Sequence, residues 1–191
     1  MAKIKIFITV GRTPQAVANA LAAHLLDLSP TEPVDCYFLM GSAEGRTFPT
    51  RTSSDSEEIL EIFQENQKYL SKLQNIQVNF HPDSSIDIYE HDLIKNVELI
   101  VSQVSSMIEE NNKVIFEITA GRKAMTGSAL IGATLLRQKH PSCSFEIAYY
   151  WLKQFTKDIL QKRLYELGFD AYKSVLTSLE DLDKLVRKVQ S

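Results

Sequence analysis

Cysteine is scarce in this chain. Cys36 and Cys143 are the only two among 191 residues, too few for a disulfide framework or a four-ligand zinc site. Both lie in or beside apolar runs, so both are expected to be buried free thiols in a reducing compartment. A strong excess of one sign of charge is lacking too. A net charge of −3 disfavours the broadly basic surface that long nucleic acid requires, though it leaves room for a local basic pocket. No apolar run approaches the roughly 18 residues that span a bilayer. Met1-Ala2-Lys3-Ile4 leads straight into a strand-like segment, without the apolar core of a secretion signal. A cytoplasmic protein that engages no membrane is expected. Metal-ligand patterns are missing as well. His24, His81, His91 and His140 are scattered, and Asp83, Asp87 and Asp92 lack the spacing of a calcium loop. No metal and no cofactor are expected.

What is present is a regular alternation. Hydrophobic content of 44% and charged content of 24% are ordinary for a globular domain. Ile4–Val10 is apolar and β-branched, a buried first strand. Gly11-Arg12-Thr13-Pro14 turns it into a helix, with Thr13 suited to the N-cap and Pro14 to the first helical position. Val34–Met40 is a second strand, Ile76–Phe80 a third, Val114–Ile118 a fourth and Phe145–Trp151 a fifth. Helical stripes separate them. The clearest is Ile94, Val97, Val101, Val104 and Ile108. Gly41–Ser56 and Ser84–Glu90 read as connections. The first is long enough to be a lid or dimer arm, and Arg46 and Arg51 could add phosphate contacts there.

This order predicts an α/β, Rossmann-like, doubly wound and mainly parallel sheet with helices on both faces. Residues 1–151 form that domain. Residues 152–191 read as a short helical C-terminal extension, with Lys153–Leu167 helical and Leu179, Leu182, Val186 and Val189 on a last amphipathic helix.

Two turns stand out. One is Thr9-Val10-Gly11-Arg12-Thr13-Pro14, after the first strand. The other is Thr119-Ala120-Gly121-Arg122-Lys123-Ala124-Met125-Thr126, after the fourth. In a doubly wound sheet, strands that flank the reversal of strand order present such turns to one crevice. Together the two offer backbone N–H groups, hydroxyls and the cations Arg12, Arg122 and Lys123, a setting suited to phosphate. Cations at a helix start oppose the helix dipole, so their placement calls for a reason. The glycine fingerprint of dinucleotide sites is missing after the first strand. The second turn lacks the spacing of a nucleoside triphosphate loop.

The pair of turns resembles the signatures of CRISPR-associated Rossmann-fold (CARF) domains, over roughly residues 4–151. The first matches at Gly11, Thr13 and Pro14. The family's second signature typically ends a strand with Thr-Gly-Gly-Thr-Lys-x-Met. Here Ala120 stands for the first glycine and Arg122 for the threonine, while Lys123 and Met125 hold the family positions.

The resemblance implies a homodimer that binds a cyclic oligoadenylate, the tetramer being expected. Residues 152–191 show neither the Arg-x4–6-His pair of a HEPN ribonuclease nor any histidine. Stand-alone members of this kind are often ring nucleases, which switch off type III CRISPR signalling. Such cleavage uses the substrate's own 2′-OH and needs no metal. In that role Lys123, Arg122 and Arg12 are the expected catalytic residues. Thr9, Gly11, Thr13, Thr119, Ala120, Gly121, Met125 and Thr126 are the expected ligand-binding residues. His81 or His91 could reach the crevice as a base. Tyr149, Tyr150 and Trp151 end a strand whose alternation sends some inward and some outward, so one could stack on adenine, although core packing is the default. Two other readings stay open: a non-catalytic sensor that regulates a partner protein, and an unrelated α/β enzyme acting on a phosphorylated metabolite.

Overall fold

The structure is a computed structural model. It describes residues 3–11, 13–42, 52–89, 92–121, 123–154, 156–168 and 170–190. The elements, in order, are β1 (Ile4–Val10), α1 (Pro14–Leu28), β2 (Val34–Ser42), α2 (Thr52–Tyr69), α3 (Ser71–Gln74), β3 (Val78–Phe80) and β4 (Ile86–Tyr89). They continue with α4 (Leu93–Met107), β5 (Lys113–Glu117), α5 (Lys123–Lys139), β6 (Ser144–Leu152), α6 (Lys157–Gln161), β7 (Tyr172–Ser178) and α7 (Leu179–Gln190).

The strands form one sheet in the order β3-β2-β1-β5-β6-β7, with β4 also paired to β2. All pairs are parallel except β6 with β7. From β1 the chain winds outward through β2 to β3 and β4, then returns to β5 and winds the other way. Strand order therefore reverses between β1 and β5, as a doubly wound α/β fold requires.

Burial on both faces explains why β1 and β5 are almost continuously apolar. One core packs Val17, Leu21 and Leu25 of α1 and Ile59 and Phe63 of α2 against one face of the sheet. The other packs Ile100 and Val104 of α4 and Met125, Ala129, Ala133 and Leu136 of α5 against the opposite face. Phe116, Phe7, Tyr37 and His81 stack in a row across β5, β1, β2 and the end of β3, with ring centroids 5.3, 5.1 and 4.7 Å apart. Such cross-strand pairs fix register. The small residues of α5 let two helices close up: a Cβ at Gly132 would lie 2.7 Å from Ile100 Cγ2.

Three elements differ from the sequence reading. The connection at 84–90 contains β4. The three residues of β3 pair only with Val34–Cys36, so the second half of β2 takes β4 at Leu39–Ser42. Asn96 of α4 holds the end of that strand, accepting from the N–H of Tyr89 and donating to its carbonyl. The extension at 152–191 is not all helix. Its β7 pairs antiparallel with β6, and its Leu164 and Leu179 enter the two cores. The helix α2 starts at Thr52, so the last residues of the Gly41–Ser56 connection are helical. No helix among the described residues is long and apolar enough to cross a membrane.

Candidate functional site

The β1–α1 and β5–α5 turns meet at the reversal point. The contact is backbone to backbone: a Cβ on Gly11 would fall 1.8 Å from the carbonyl oxygen of Ala120. Gly121 is equally constrained, since a Cβ there would lie 2.8 Å from both Cβ and Oγ1 of Thr9. Glycine is used at both places for close approach.

Hydroxyls then fasten the second turn. Thr9 Oγ1 donates to the Glu117 carbonyl at 3.0 Å. Thr126 Oγ1 reaches back from the first turn of α5 to the carbonyls of Gly121 at 3.2 Å and Ile118 at 3.3 Å. Thr119 N–H donates to Glu117 Oε1 at 2.9 Å, and its hydroxyl donates to the same oxygen. The Thr119 hydroxyl oxygen accepts in turn from Tyr150 N–H of β6 at 2.8 Å.

The crevice is electropositive for a structural reason. α1 and α5 both start at it, with 15 and 17 residues, and neither has an acidic residue in its first turn. Thr13 occupies the N-cap of α1, yet its side chain makes no capping hydrogen bond. Neither first turn thus carries the usual carboxylate, and α1 has no side-chain cap. Lys123, exposed at the first position of α5, adds a full charge.

No family model matches the chain, and no curated protein matches it. Among solved structures, it is similar to Enterococcus italicus Csm6 bound to cyclic hexa-2′-fluoro-hexa-dAMP, with a TM-score of 0.57 at 14% identity. The two share a fold. The match covers 98% of this chain and 46% of that one, so this chain spans less than half the length of its neighbour.

The residues singled out in the sequence separate by depth. Thr13 and Lys123 are exposed, while Gly11, Thr119, Ala120, Gly121 and Thr126 line the half-buried layer below. Thr9 and Met125 lie beneath it, 0% and 1% exposed. Thr9 therefore shapes the turn, and Met125 packs in the core under α5. Arg12, Arg122, His91 and the stretch 43–51 with Arg46 and Arg51 lie outside the described residues.

Other candidates are elsewhere. His81 bonds Asp35 at 3.3 Å and stacks on Tyr37. Asp35 sits one residue into β2, opposite Lys5 of β1, at the far end of the strands from the crevice. Asp92 caps α4 by accepting from Lys95 N–H at 3.0 Å. Asp83 and Asp87 line a separate hollow of about 420 Å³ with Met40, Glu57 and Leu60. Among the described residues, no group of three acidic, histidine or cysteine side chains could hold a metal. Cys36 and Cys143 are free and buried, and burial pushes the Cys36 thiol far up. Tyr149 and Trp151 are exposed at the end of β6, while Tyr150 between them faces the core.

Two residues at the site were not anticipated. Glu117 is fully buried, and His24 of α1, 1% exposed, places Nε2 3.7 Å from Glu117 Oε1. Their sequence signal was faint: a single carboxylate inside the run Val114–Ile118 and a single imidazole on the apolar face of α1.

Proposed function

We propose that this chain binds a cyclic oligoadenylate as a homodimer and opens the ring without a metal. The observation that carries the reading is the meeting of the two turns at Gly11 and Ala120. It sets two helix N-termini without first-turn acids, and Lys123, around one crevice. The shared fold with a protein solved with a cyclic hexanucleotide supports the same ligand class, as do the sequence signatures at both turns.

A ring of identical nucleotides offers the same face to each copy of a symmetric dimer, so one site used twice suffices. A face for that dimer is at hand. Leu130, Ile131 and Leu135 on α5 and Leu93 and Ile94 on α4 are exposed, Ile94 at 71%. They continue from the helix that carries Lys123.

In the cleavage step the ribose 2′-oxygen forms a bond to phosphorus, and the bond from phosphorus to the 5′-oxygen breaks. The 2′-OH proton is carried to the departing 5′-oxygen. The products are a 2′,3′-cyclic phosphate and a 5′-OH. Lys123 neutralises charge on the phosphoryl oxygens, together with backbone N–H groups of the two turns. Arg122 and Arg12 hold neighbouring phosphates.

A sensor without turnover is the second reading. It is favoured by one observation: among the described residues no histidine reaches the crevice, since His24 is buried, His81 bonds Asp35 and His140 bonds Ser105. Incubating the protein with labelled cyclic tetra- and hexa-adenylate in EDTA decides between them. Linear products ending in a 2′,3′-cyclic phosphate support the nuclease. Tight binding with intact rings supports the sensor.

A further inference from the structure

The crevice rests on a carboxylate that has no exposed surface. Glu117 is the last residue of β5, and its side chain turns under Thr119 rather than outward. Its Oε1 takes both donors of Thr119, the N–H and the hydroxyl. Among the described residues its Oε2 has no hydrogen-bond partner, and neither has His24 Nε2, 3.7 Å from Oε1. On the other side of that ring, His24 Nδ1 meets Ser174 Oγ of β7 at 2.8 Å. A buried carboxylate is costly to keep unless it is paired and hydrogen-bonded. One placed directly before an anion-binding turn needs a role there.

We propose that Glu117 is a positioning residue for the proposed cyclic-oligoadenylate site, with His24 orienting its carboxylate. The inference rests on the function proposed above. By accepting both Thr119 donors, Glu117 draws residue 119 inward and down. The following residues, Ala120 and Gly121, then stand against Gly11 and Thr9. The Thr119 hydroxyl, once its proton is given to Glu117, is free to accept from Tyr150 N–H, which locks the turn to β6. The N–H groups that follow are thus held toward the crevice before any ligand arrives. This is preorganisation, and it raises affinity by removing the ordering cost from the binding step. His24 and Ser174 extend the arrangement to α1 and β7, so residues of the C-terminal extension help set the turn.

Two substitutions separate positioning from plain stability. Glu117→Met keeps the volume and removes both acceptor oxygens. It also leaves the Thr119 N–H and hydroxyl without that acceptor, which lowers stability, so binding is read well below the melting temperature. Glu117→Gln keeps one acceptor for Thr119. Binding of cyclic tetra- and hexa-adenylate to the full chain is measured alongside melting temperature and amide exchange of residues 118–126. Glu117→Met is expected to melt lower than the parent, exchange faster across residues 118–126 than elsewhere and, while still folded, bind about tenfold more weakly, the loss set by charge-assisted hydrogen bonds. Glu117→Gln recovers most of the affinity.

Unchanged affinity in Glu117→Met overturns the proposal, as does a loss in Glu117→Gln equal to that in Glu117→Met. Should Glu117→Met not fold, Thr119→Val removes the hydroxyl that joins Glu117 to Tyr150 N–H, keeps the N–H bond to Glu117, and is read by the same binding and exchange measurements. If the parent binds neither ring, the function proposed above fails by itself. Exchange at the turn then still judges the positioning, and an unaltered rate in Glu117→Met overturns it.

Discussion

Gly11→Ala is the substitution whose effect can be worked most fully from the geometry. The added methyl would stand 1.8 Å from the Ala120 carbonyl oxygen and 2.9 Å from its carbon. Both atoms are backbone, so no side chain can swing away. To recover an ordinary contact, the two turns must part by about 1.5 Å. Overpacking of this kind costs about 1–3 kcal/mol where side chains can yield, and a backbone collision belongs at the upper end. At about 3 kcal/mol, a chain of this size falls by about 6–12 °C in melting temperature. The parted turns also lose their shared crevice, so ligand affinity should fall by tenfold or more.

Gly168→Ala is the matched control. Nothing lies within 4 Å of its added Cβ and its φ is not in the left-handed region, so it is expected to be neutral or to stabilise by about 0.4–1 kcal/mol. Thermal melts and ligand titrations of both variants form the assay. Gly11→Ala melting and binding like the parent would refute the backbone contact on which the site is built.

Other outcomes follow from the same geometry. Lys123→Ala should leave the melting temperature unchanged, because the residue is exposed. It should weaken binding at least tenfold, with a shallower salt dependence, as a titration at several ionic strengths will read. Leu130→Glu with Ile131→Glu should yield a folded monomer in sedimentation experiments, since both side chains are exposed; a folded dimer would exclude this face. Asp35 sets a pH effect on stability. Burial works to raise its carboxyl, but hydrogen bonds from Lys3, Asn79 and His81 and the Lys3 charge bring it below the usual 3.8. Its folded pKa is depressed, so its contribution is full above about pH 4 and is lost as pH falls through the lower folded value. Asp35→Asn should therefore be less stable than the parent in urea melts at pH 7, with the gap closing toward pH 3.

Much of the fold could be read from residues alone, and the reasons are local. Val114–Ile118 and Ile4–Val10 are apolar because helices cover both faces, and each ends in a glycine turn that starts a helix. Those features located β1, β5 and the two turns, and the winding of the chain then made them neighbours. The elements that escaped are short or half-exposed. β4 has four residues, with Asp87 pointing outward between Ile86 and Ile88. β7 is an edge strand of mixed polarity in which no residue is fully buried, so it carries little alternation to detect.

At the site, hydroxyls were legible as residue types but not in depth. Thr9 and Thr119 look alike in sequence, yet one braces the turn from below and the other joins Glu117 to Tyr150. Glu117 went unnoticed because its partners are tertiary: His24 and Ser174 lie on distant segments of the chain. Arg163 escaped likewise. It bonds Gln15 in the first turn of α1 and pairs with Glu65 of α2 at 2.5 Å, which ties the extension to the same end of the molecule.

Calorimetric titration of the purified full chain with cyclic tetra- and hexa-adenylate, each beside its linear counterpart of equal length, puts the whole proposal at stake. One of the rings should bind tightly at one ring per two chains, with the linear counterpart at least tenfold weaker. Failure of both rings to bind, or equal binding of ring and linear forms at one per chain, would remove the cyclic-nucleotide site at Gly11 and Ala120.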